Sequence, residues 1–415
     1  MRPSPLDRIA DEVLGGIRER GTYRRMRVLD GPQGPRMRVD GRDVLLFAGS
    51  NYLDLACHPE VVAAAERGAR DFGCAAGGSR LINGNLACHE ALENELAEFF
   101  ERPAALAFNT GYMANVGVIP AIVGEGDVLV SDELNHASII DGARLARCEV
   151  AVFRHGDVDA FAETLARVRP RARRLLVAVD GVYSMDGDVS PIAEIVKLAH
   201  DHDAIVLLDD AHGTGTLGAR GRGSAEAAGV LRDVDILMGT LGKSLGAFGA
   251  FVAGSERLRD LLVNTARSFI FSCALAPAQV ESARAALRLV DREPWRRQRL
   301  AQNCDRLRLR LASHGIPTAP STTHILPVVI GENAPTMAVC EALLERGYYA
   351  QGIRHPSVRR GSARLRITPM ATHREDEIDG LAEAIVEILA VQRDRADAGM
   401  GSPLTTAPAN APRRA

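Results

Sequence analysis

Ala204-Ile205-Val206-Leu207-Leu208-Asp209-Asp210-Ala211-His212-Gly213 is the stretch that decides the fold. Five apolar residues in a row, closed off by two carboxylates, read as a strand buried on both faces, because a strand with one wet face would alternate. Strands of that kind belong to parallel sheets covered by helices. Working outward, similar short apolar runs occur at 105–108, 127–131, 150–153, 175–180, 235–239 and 249–253. Amphipathic segments with helical spacing lie among them, for example 58–72, 89–100 and 191–202. The expected fold class is α/β: a large, doubly wound, mostly parallel sheet with helices on both faces. Residues 255–310 read as helical and rich in arginine. Beyond them, strand-like 325–330 and 364–368 alternate with helix-like 334–346 and 374–391, the pattern of a smaller α+β unit. The expected division is an N-terminal segment at 1–50 with one extended stretch at 43–47, a large domain at 51–285, a small domain at 286–392, and a disordered tail at 393–415.

The chain has 415 residues, 50 Lys plus Arg against 53 Asp plus Glu, and a formal net charge of -3. That balance gives no reason to expect nucleic acid or an anionic membrane as partner. No apolar run reaches membrane-spanning length and the first residues carry no apolar signal core, so the expected location is the cytoplasm. The seven cysteines, at 57, 74, 88, 148, 273, 304 and 340, include no Cys-x-x-Cys pair. They read as reduced and mostly buried thiols, and no metal site is expected.

In open α/β sheets, ligands sit beyond the carboxyl ends of the strands. Asp209 lies at such an end, where a carboxylate can keep a pyridine-type nitrogen protonated and make the ring an electron sink. Asp210 fits a helix N-cap better, and His212 is placed to bond a ring hydroxyl. After the strand at 235–239 comes Gly239-Thr240-Leu241-Gly242-Lys243-Ser244-Leu245-Gly246. Glycines let backbone approach a ligand closely, a lysine there can form an imine with an aldehyde cofactor, and Thr240 can bond a phosphate oxygen. Read alone, Lys243 fits a surface loop equally well. A phosphate-binding P-loop is excluded by spacing, since position 237 is Leu where that motif needs its first glycine.

Three further strand ends carry polar residues. In Asn109-Thr110-Gly111-Tyr112, free backbone N–H groups at a helix start can receive a phosphate; an ordinary glycine turn is the alternative. His136, in Asn135-His136-Ala137-Ser138, offers a flat ring that can stack on a cofactor, or simply a surface histidine. Ser184, in Asp180-Gly181-Val182-Tyr183-Ser184-Met185-Asp186-Gly187, is the polar contact of what is otherwise an ordinary turn.

The order of these elements resembles the α-oxoamine synthases, a group of fold-type I pyridoxal-phosphate enzymes, over about residues 20–390. Asp209-Asp210-Ala211-His212-Gly213-Thr214-Gly215, Gly78-Ser79-Arg80, Ser184-Met185-Asp186-Gly187-Asp188 and Met370-Ala371-Thr372-His373 carry the resemblance. It implies pyridoxal 5'-phosphate as cofactor, with Lys243 forming the imine, Asp209 on the ring nitrogen, His212 on the ring oxygen, His136 stacked on the ring and Ser184 beside it. Gly111, Tyr112 and Thr240 would hold the phosphate. Arg366 would grip an amino-acid carboxylate, Thr368 would touch substrate, and Arg25 or Arg24 would approach the acyl group. The implied reaction is decarboxylative condensation of an amino acid, L-alanine, with a pimeloyl-type acyl-CoA, as in biotin synthesis, by a homodimer. The alternative is the same chemistry with glycine and acetyl-CoA, or with a fatty acyl-CoA. Three places depart from the family pattern: Asp54 replaces a glycine, Cys273 a threonine, and Gly352-Ile353-Arg354-His355-Pro356-Ser357-Val358-Arg359-Arg360 a proline-rich run. They put the substrate pair, rather than the cofactor chemistry, in question.

Overall fold

The computed structural model describes residues 4–397. The chain opens with α1 (Pro5–Glu19), then β1 (Leu29–Asp30), β2 (Arg36–Val39) and β3 (Arg42–Leu46). It continues through α2 (Pro59–Phe72), α3 (Ala87–Phe99), β4 (Ala104–Phe108), α4 (Gly111–Ile122), β5 (Val128–Asp132), α5 (Ala137–Ala146) and β6 (Glu149–Phe153). After β7 (Leu175–Asp180), β8 (Ile205–Asp209), β9 (Ile236–Thr240) and β10 (Ala250–Gly254) come helices Pro277–Arg292 and Trp295–Ala312. The last strands are β11 (Leu326–Gly331), β12 (Tyr348–Tyr349), β13 (Gln351–Ile353) and β14 (Ala363–Ile367), followed by helix Glu375–Asp397.

The central sheet has the order β4-β10-β9-β8-β7-β5-β6. In β8, Val206 and Leu208 enter the apolar core on one face of this sheet and Leu207 the core on the other. That is why the stretch shows no alternation: both faces are dry. Strands β5 to β9 run parallel, but β10 is antiparallel to both β4 and β9. The cause is chain length. A parallel crossover takes roughly a dozen residues or more, and the loop from Thr240 to Ala250 is too short for one.

The N-terminal residues hold more structure than one extended stretch. Helix α1 starts on a capping box, with the Ser4 hydroxyl taking the Asp7 N–H while the Asp7 carboxylate takes the Ser4 N–H. Strand β3 pairs in parallel with β12, so the four-stranded sheet β1-β2-β3-β12 stitches the start of the chain to residues near 348. A separate antiparallel sheet, β11-β14-β13, carries Arg364 and Arg366 on β14. The disorder expected from 393 does not hold for 393–397, because the last helix runs to Asp397; residues 398–415, where the rest of that expectation falls, lie outside the described residues. Cys57, Cys74 and Cys273 are exposed, contrary to the expectation of mostly buried thiols; Cys88, Cys304 and Cys340 are buried. Among the described residues no helix is long and apolar enough to cross a membrane.

Candidate active site

Phe108, Asp132, Asp180, Asp209 and Thr240 are the last residues of β4, β5, β7, β8 and β9, and all five strands end on one edge of the sheet. Antiparallel β10 begins there, with Ala250 opposite both Phe108 and Thr240. The two carboxylates Asp180 and Asp209 are register partners on adjacent strands. Neighbouring strands lie only about 4.8 Å apart, so two charges there repel. Burial, and then the charge of Asp209, push the Asp180 carboxyl well above the usual carboxylate range, which favours its protonated form.

Asp209 is fixed by two donors. Asn115 Nδ2 lies 2.7 Å from one carboxylate oxygen, and the Ala211 N–H 3.1 Å from the other. Asn115 also donates to Ser138 Oγ at 2.9 Å, and Ser138 Oγ lies 2.7 Å from His136 Nδ1. His136 is the N-cap of α5 and is exposed on the side away from Ser138. Asp210 points elsewhere, accepting from the Ser224 N–H at 2.6 Å.

Lys243 stands in the loop after β9. Loss of solvent lowers its ammonium pKa to about 8, against the pull of Asp209 and Asp180. The charge of Lys243 is felt by His136, His212 and His324, which places these groups around one space. Burial, and then Lys243, hold the His212 imidazole well below its usual range, so it is neutral. Its Nδ1 is 2.8 Å from the Tyr52 hydroxyl.

Helix α4 begins at Gly111 with Thr110 as its N-cap. A Cβ at Gly111 would come within 2.9 Å of Thr240 Cγ2, so only glycine lets these two segments meet. The first-turn N–H groups of Gly111 and Tyr112 thus lie beside the Thr240 side chain, an arrangement suited to a phosphate. Thr240 Oγ1 meanwhile donates to the Ala211 carbonyl at 3.2 Å. The exposed Tyr112 ring turns outward, its hydroxyl 2.6 Å from Asp141.

Arg366 reaches the same region from β14. Its Nε donates to the Ser184 carbonyl and its Nη2 to the Tyr52 hydroxyl at 3.2 Å. Thr368 does not reach it. Its hydroxyl is buried and bonded to the Gly49 N–H at 2.9 Å and to the backbone carbonyls of Phe47 and Gly49. Thr368 ties the chain after β3 to β14, which corrects its assignment as a substrate contact. Arg25 is exposed near the Tyr23 ring, and Arg24 lies 3.4 Å from Ser357 Oγ. Arg354 donates to the Tyr23 carbonyl at 2.6 Å, so the arginine-bearing N-terminal segment runs along the 354–357 loop. Arg359 pairs with Glu133 at 3.0 Å. Cys273 accepts from Asn109 Nδ2 through its carbonyl at 2.8 Å.

Sequence reasoning missed Asn115, Asp180, Tyr52 and His324. Asn115 had a signal, a carboxamide one turn after Gly111 in an otherwise apolar helix. His324 had none: a buried imidazole pushed down to about 3 by burial and then by Arg366, with its ring 4.1 Å from that of Tyr52 and its Nε2 unpartnered.

A fold of this kind, with a lysine, a clamped aspartate and a helix N-terminus at one sheet edge, matches the aminotransferase class I and II family model over residues 42–385, and the chain belongs to that family. Within it, the 8-amino-7-oxononanoate synthase of Geobacter sulfurreducens is 48% identical over 377 residues, 90% of this chain and 96% of that protein. Among solved structures, Sphingomonas wittichii serine palmitoyltransferase superimposes with a TM-score of 0.88 at 32% identity, covering 94% of this chain and 98% of that one. A serine palmitoyltransferase from S. paucimobilis with a bound PLP–myriocin aldimine gives 0.88 at 30% identity, covering 94% of this chain and 99% of that one.

Proposed function

We propose that this chain is a pyridoxal-phosphate-dependent acyltransferase that condenses L-alanine with a pimeloyl-type acyl-CoA, releasing CoA and CO₂ and yielding 8-amino-7-oxononanoate for biotin synthesis. The observation that carries the cofactor assignment is the meeting of Lys243, the Asn115-clamped Asp209 and the Gly111–Thr240 cradle at one strand edge. When bound, the cofactor supplies an aldehyde for the amine and a ring that accepts electrons from the Cα carbanion.

The residues then divide the work. Asp209, held from two sides, would face the ring nitrogen and keep it protonated. Burial and the nearby Asp209 raise the pKa of its neighbour Asp180, which favours a neutral carboxyl there and limits like-charge repulsion in the site. Neutral His212 would bond the ring oxygen, His136 would cover one ring face and Ser184 would lie beside it. The first-turn N–H groups of Gly111 and Tyr112, with Thr240, would hold the phosphate. A lysine with a pKa of about 8 has a sizeable neutral fraction near neutrality, so Lys243 would be able to take a proton from the substrate Cα and return one to the product. Arg366 pairs with the alanine carboxylate until it leaves as CO₂. Arg25, with the 354–357 loop, stands on the acyl side.

The 48% identity to an 8-amino-7-oxononanoate synthase, against about 30% to serine palmitoyltransferases, supports the alanine–pimeloyl pair over the glycine–acetyl and fatty-acyl alternatives. We infer a homodimer in the cytoplasm. Ile82 and Phe271 are 83% and 70% exposed, on two segments joined by the Ser79–Cys273 bridge, and apolar side chains so open are suited to a subunit contact. The test is thiol release by the purified, cofactor-loaded protein from pimeloyl-, acetyl- and palmitoyl-CoA, each with L-alanine, glycine and L-serine. Fastest release from pimeloyl-CoA with L-alanine is expected. Release only from another pair would overturn the substrate assignment.

A further inference from the structure

His155, two residues past the end of β6, is outside the groups that face the cofactor, yet both its ring nitrogens meet carboxylates. Nδ1 lies 3.0 and 3.1 Å from the two oxygens of Asp132, and Nε2 lies 2.7 Å from Asp188 Oδ2. A neutral imidazole would turn a lone pair toward one of these carboxylates, so the geometry calls for an N–H on both nitrogens. The ring packs edge-on against Tyr183 with centroids 4.3 Å apart. Burial opposes the charge, but the hydrogen bonds that the ring donates to Asp132 and then to Asp188 outweigh it and raise the His155 pKa to about 10.

The clamp joins three strand ends. Asp132 ends β5 and also accepts from the Leu134 and Gly156 N–H groups at 2.8 and 3.1 Å. Asp188 closes the turn after β7, with its carbonyl taking the Tyr183 N–H at 3.0 Å, and the Gly187 N–H donates to the Tyr183 carbonyl at 2.8 Å. The other side of this turn faces β14 and β11. Arg364 bonds the Asp186 carboxylate, Thr323 Oγ1 donates to the Gly187 carbonyl at 2.7 Å, and Arg366 Nε bonds the Ser184 carbonyl. Arg366 in turn holds the Tyr52 hydroxyl, which bonds His212. Hydrogen bonds and one short turn thus connect His155 to Arg366.

We propose that His155 is a positioning residue for the amino-acid site: its doubly bonded imidazolium pins the 183–188 turn, and the Ser184 carbonyl on that turn aims the Arg366 guanidinium at the substrate carboxylate. The proposal rests on the role given to Arg366 above. Its consequence is selective. Loss of the clamp weakens amino-acid binding and leaves cofactor attachment and acyl-CoA binding in place, because Asp209 is held by Asn115 and Ala211, and Lys243 and the Gly111–Thr240 cradle lie at other strand ends.

The experiment compares cofactor-loaded wild type with His155→Gln, His155→Lys and Asp188→Asn, following the visible cofactor absorbance, its change on titration with amino acids, and steady-state kinetics. For His155→Gln the expected result is an unchanged absorbance of the resting enzyme, roughly tenfold weaker amino-acid binding and KM, as for loss of one charge-assisted contact, and an unchanged KM for the acyl-CoA. Asp188→Asn, the milder change, should show the same selective defect, and His155→Lys, which restores a cation, should recover part of it. Unchanged amino-acid affinity in both His155→Gln and Asp188→Asn would overturn the proposal. So would an equal loss across cofactor, amino acid and acyl-CoA, the mark of a purely structural role. Failure of every amino acid tested to perturb the wild-type absorbance would overturn the Arg366 reading itself, and the proposal with it.

Discussion

The strand-end edge and the arginine-bearing rim are built on different terms. Beyond β7, β8 and β9, the polar groups are mostly buried, and the central ones have two partners each: Asp209 is held by Asn115 and Ala211, and Asn115 by Asp209 and Ser138. At the rim, Arg24, Arg25, Arg359 and Arg360 are exposed, and the contacts there are single and peripheral, such as Arg359–Glu133 and Arg24–Ser357. Strand ends fix a side chain by backbone register, whereas a surface loop fixes it only as far as its few contacts allow. The chemistry common to the family is therefore on the rigid edge, and the departures from the family pattern fall largely on the loop.

Substitutions can break this contrast. Lys243→Ala should lower kcat by roughly 10³-fold or more, since it removes the general base along with the covalent link; thiol release measures it. Asp209→Ala should cost about 10²-fold in kcat, the scale for removing one preorganised electrostatic partner, with the substrate KM values little changed. Asn115→Ala takes away only one of two donors to Asp209 and should cost about fivefold, in keeping with a hydrogen bond to a charged group. At the rim, Arg359→Ala should shift the acyl-CoA KM by less than about threefold and stability by less than about 0.5 kcal/mol, as for an exposed ion pair. A rim effect as large as that of Asp209→Ala would abolish the distinction.

The His155 clamp joins the two regions and sharpens the comparison through pH. The groups facing it are Asp132, Asp188 and Tyr183, with Glu133, itself paired to Arg359, accepting from the His155 N–H. Its folded-state pKa of about 10 lies above the ordinary 6.5. The stability it contributes is therefore complete below about 6.5 and is lost as pH rises through about 10. The gap in Tm between wild type and His155→Gln, measured by thermal unfolding, should shrink by a few degrees from pH 7 to pH 10. A gap that is constant or widens would contradict the charged clamp.

What the sequence shows follows the same division. Fully buried strands leave unbroken apolar runs with a polar residue at the end, so the central strands, Asp209, Thr240 and the segment leading to Lys243 are all legible. The reversal of β10 is also written there, in the shortness of the 241–249 loop, but as a length rather than a composition. Helix α1 was signalled by Ser4, Pro5 and Asp7, and arginine-rich surroundings hid it. Tyr52 and His324 act through residues distant in the chain, and no local pattern announces such pairings; Asn115 was marked only by its place in an apolar helix. Thr368 shows the opposite failure: a polar residue beside a motif arginine looks like a ligand contact until its hydroxyl is found bonded to a neighbouring loop.

The central claim is that Lys243 holds the cofactor, and it can be read at single-residue resolution. The purified, cofactor-loaded protein is reduced with borohydride, digested and mapped by peptide mass. The account predicts one phosphopyridoxyl adduct, on Lys243. An adduct on another lysine, or none in a protein that binds the cofactor, would contradict it.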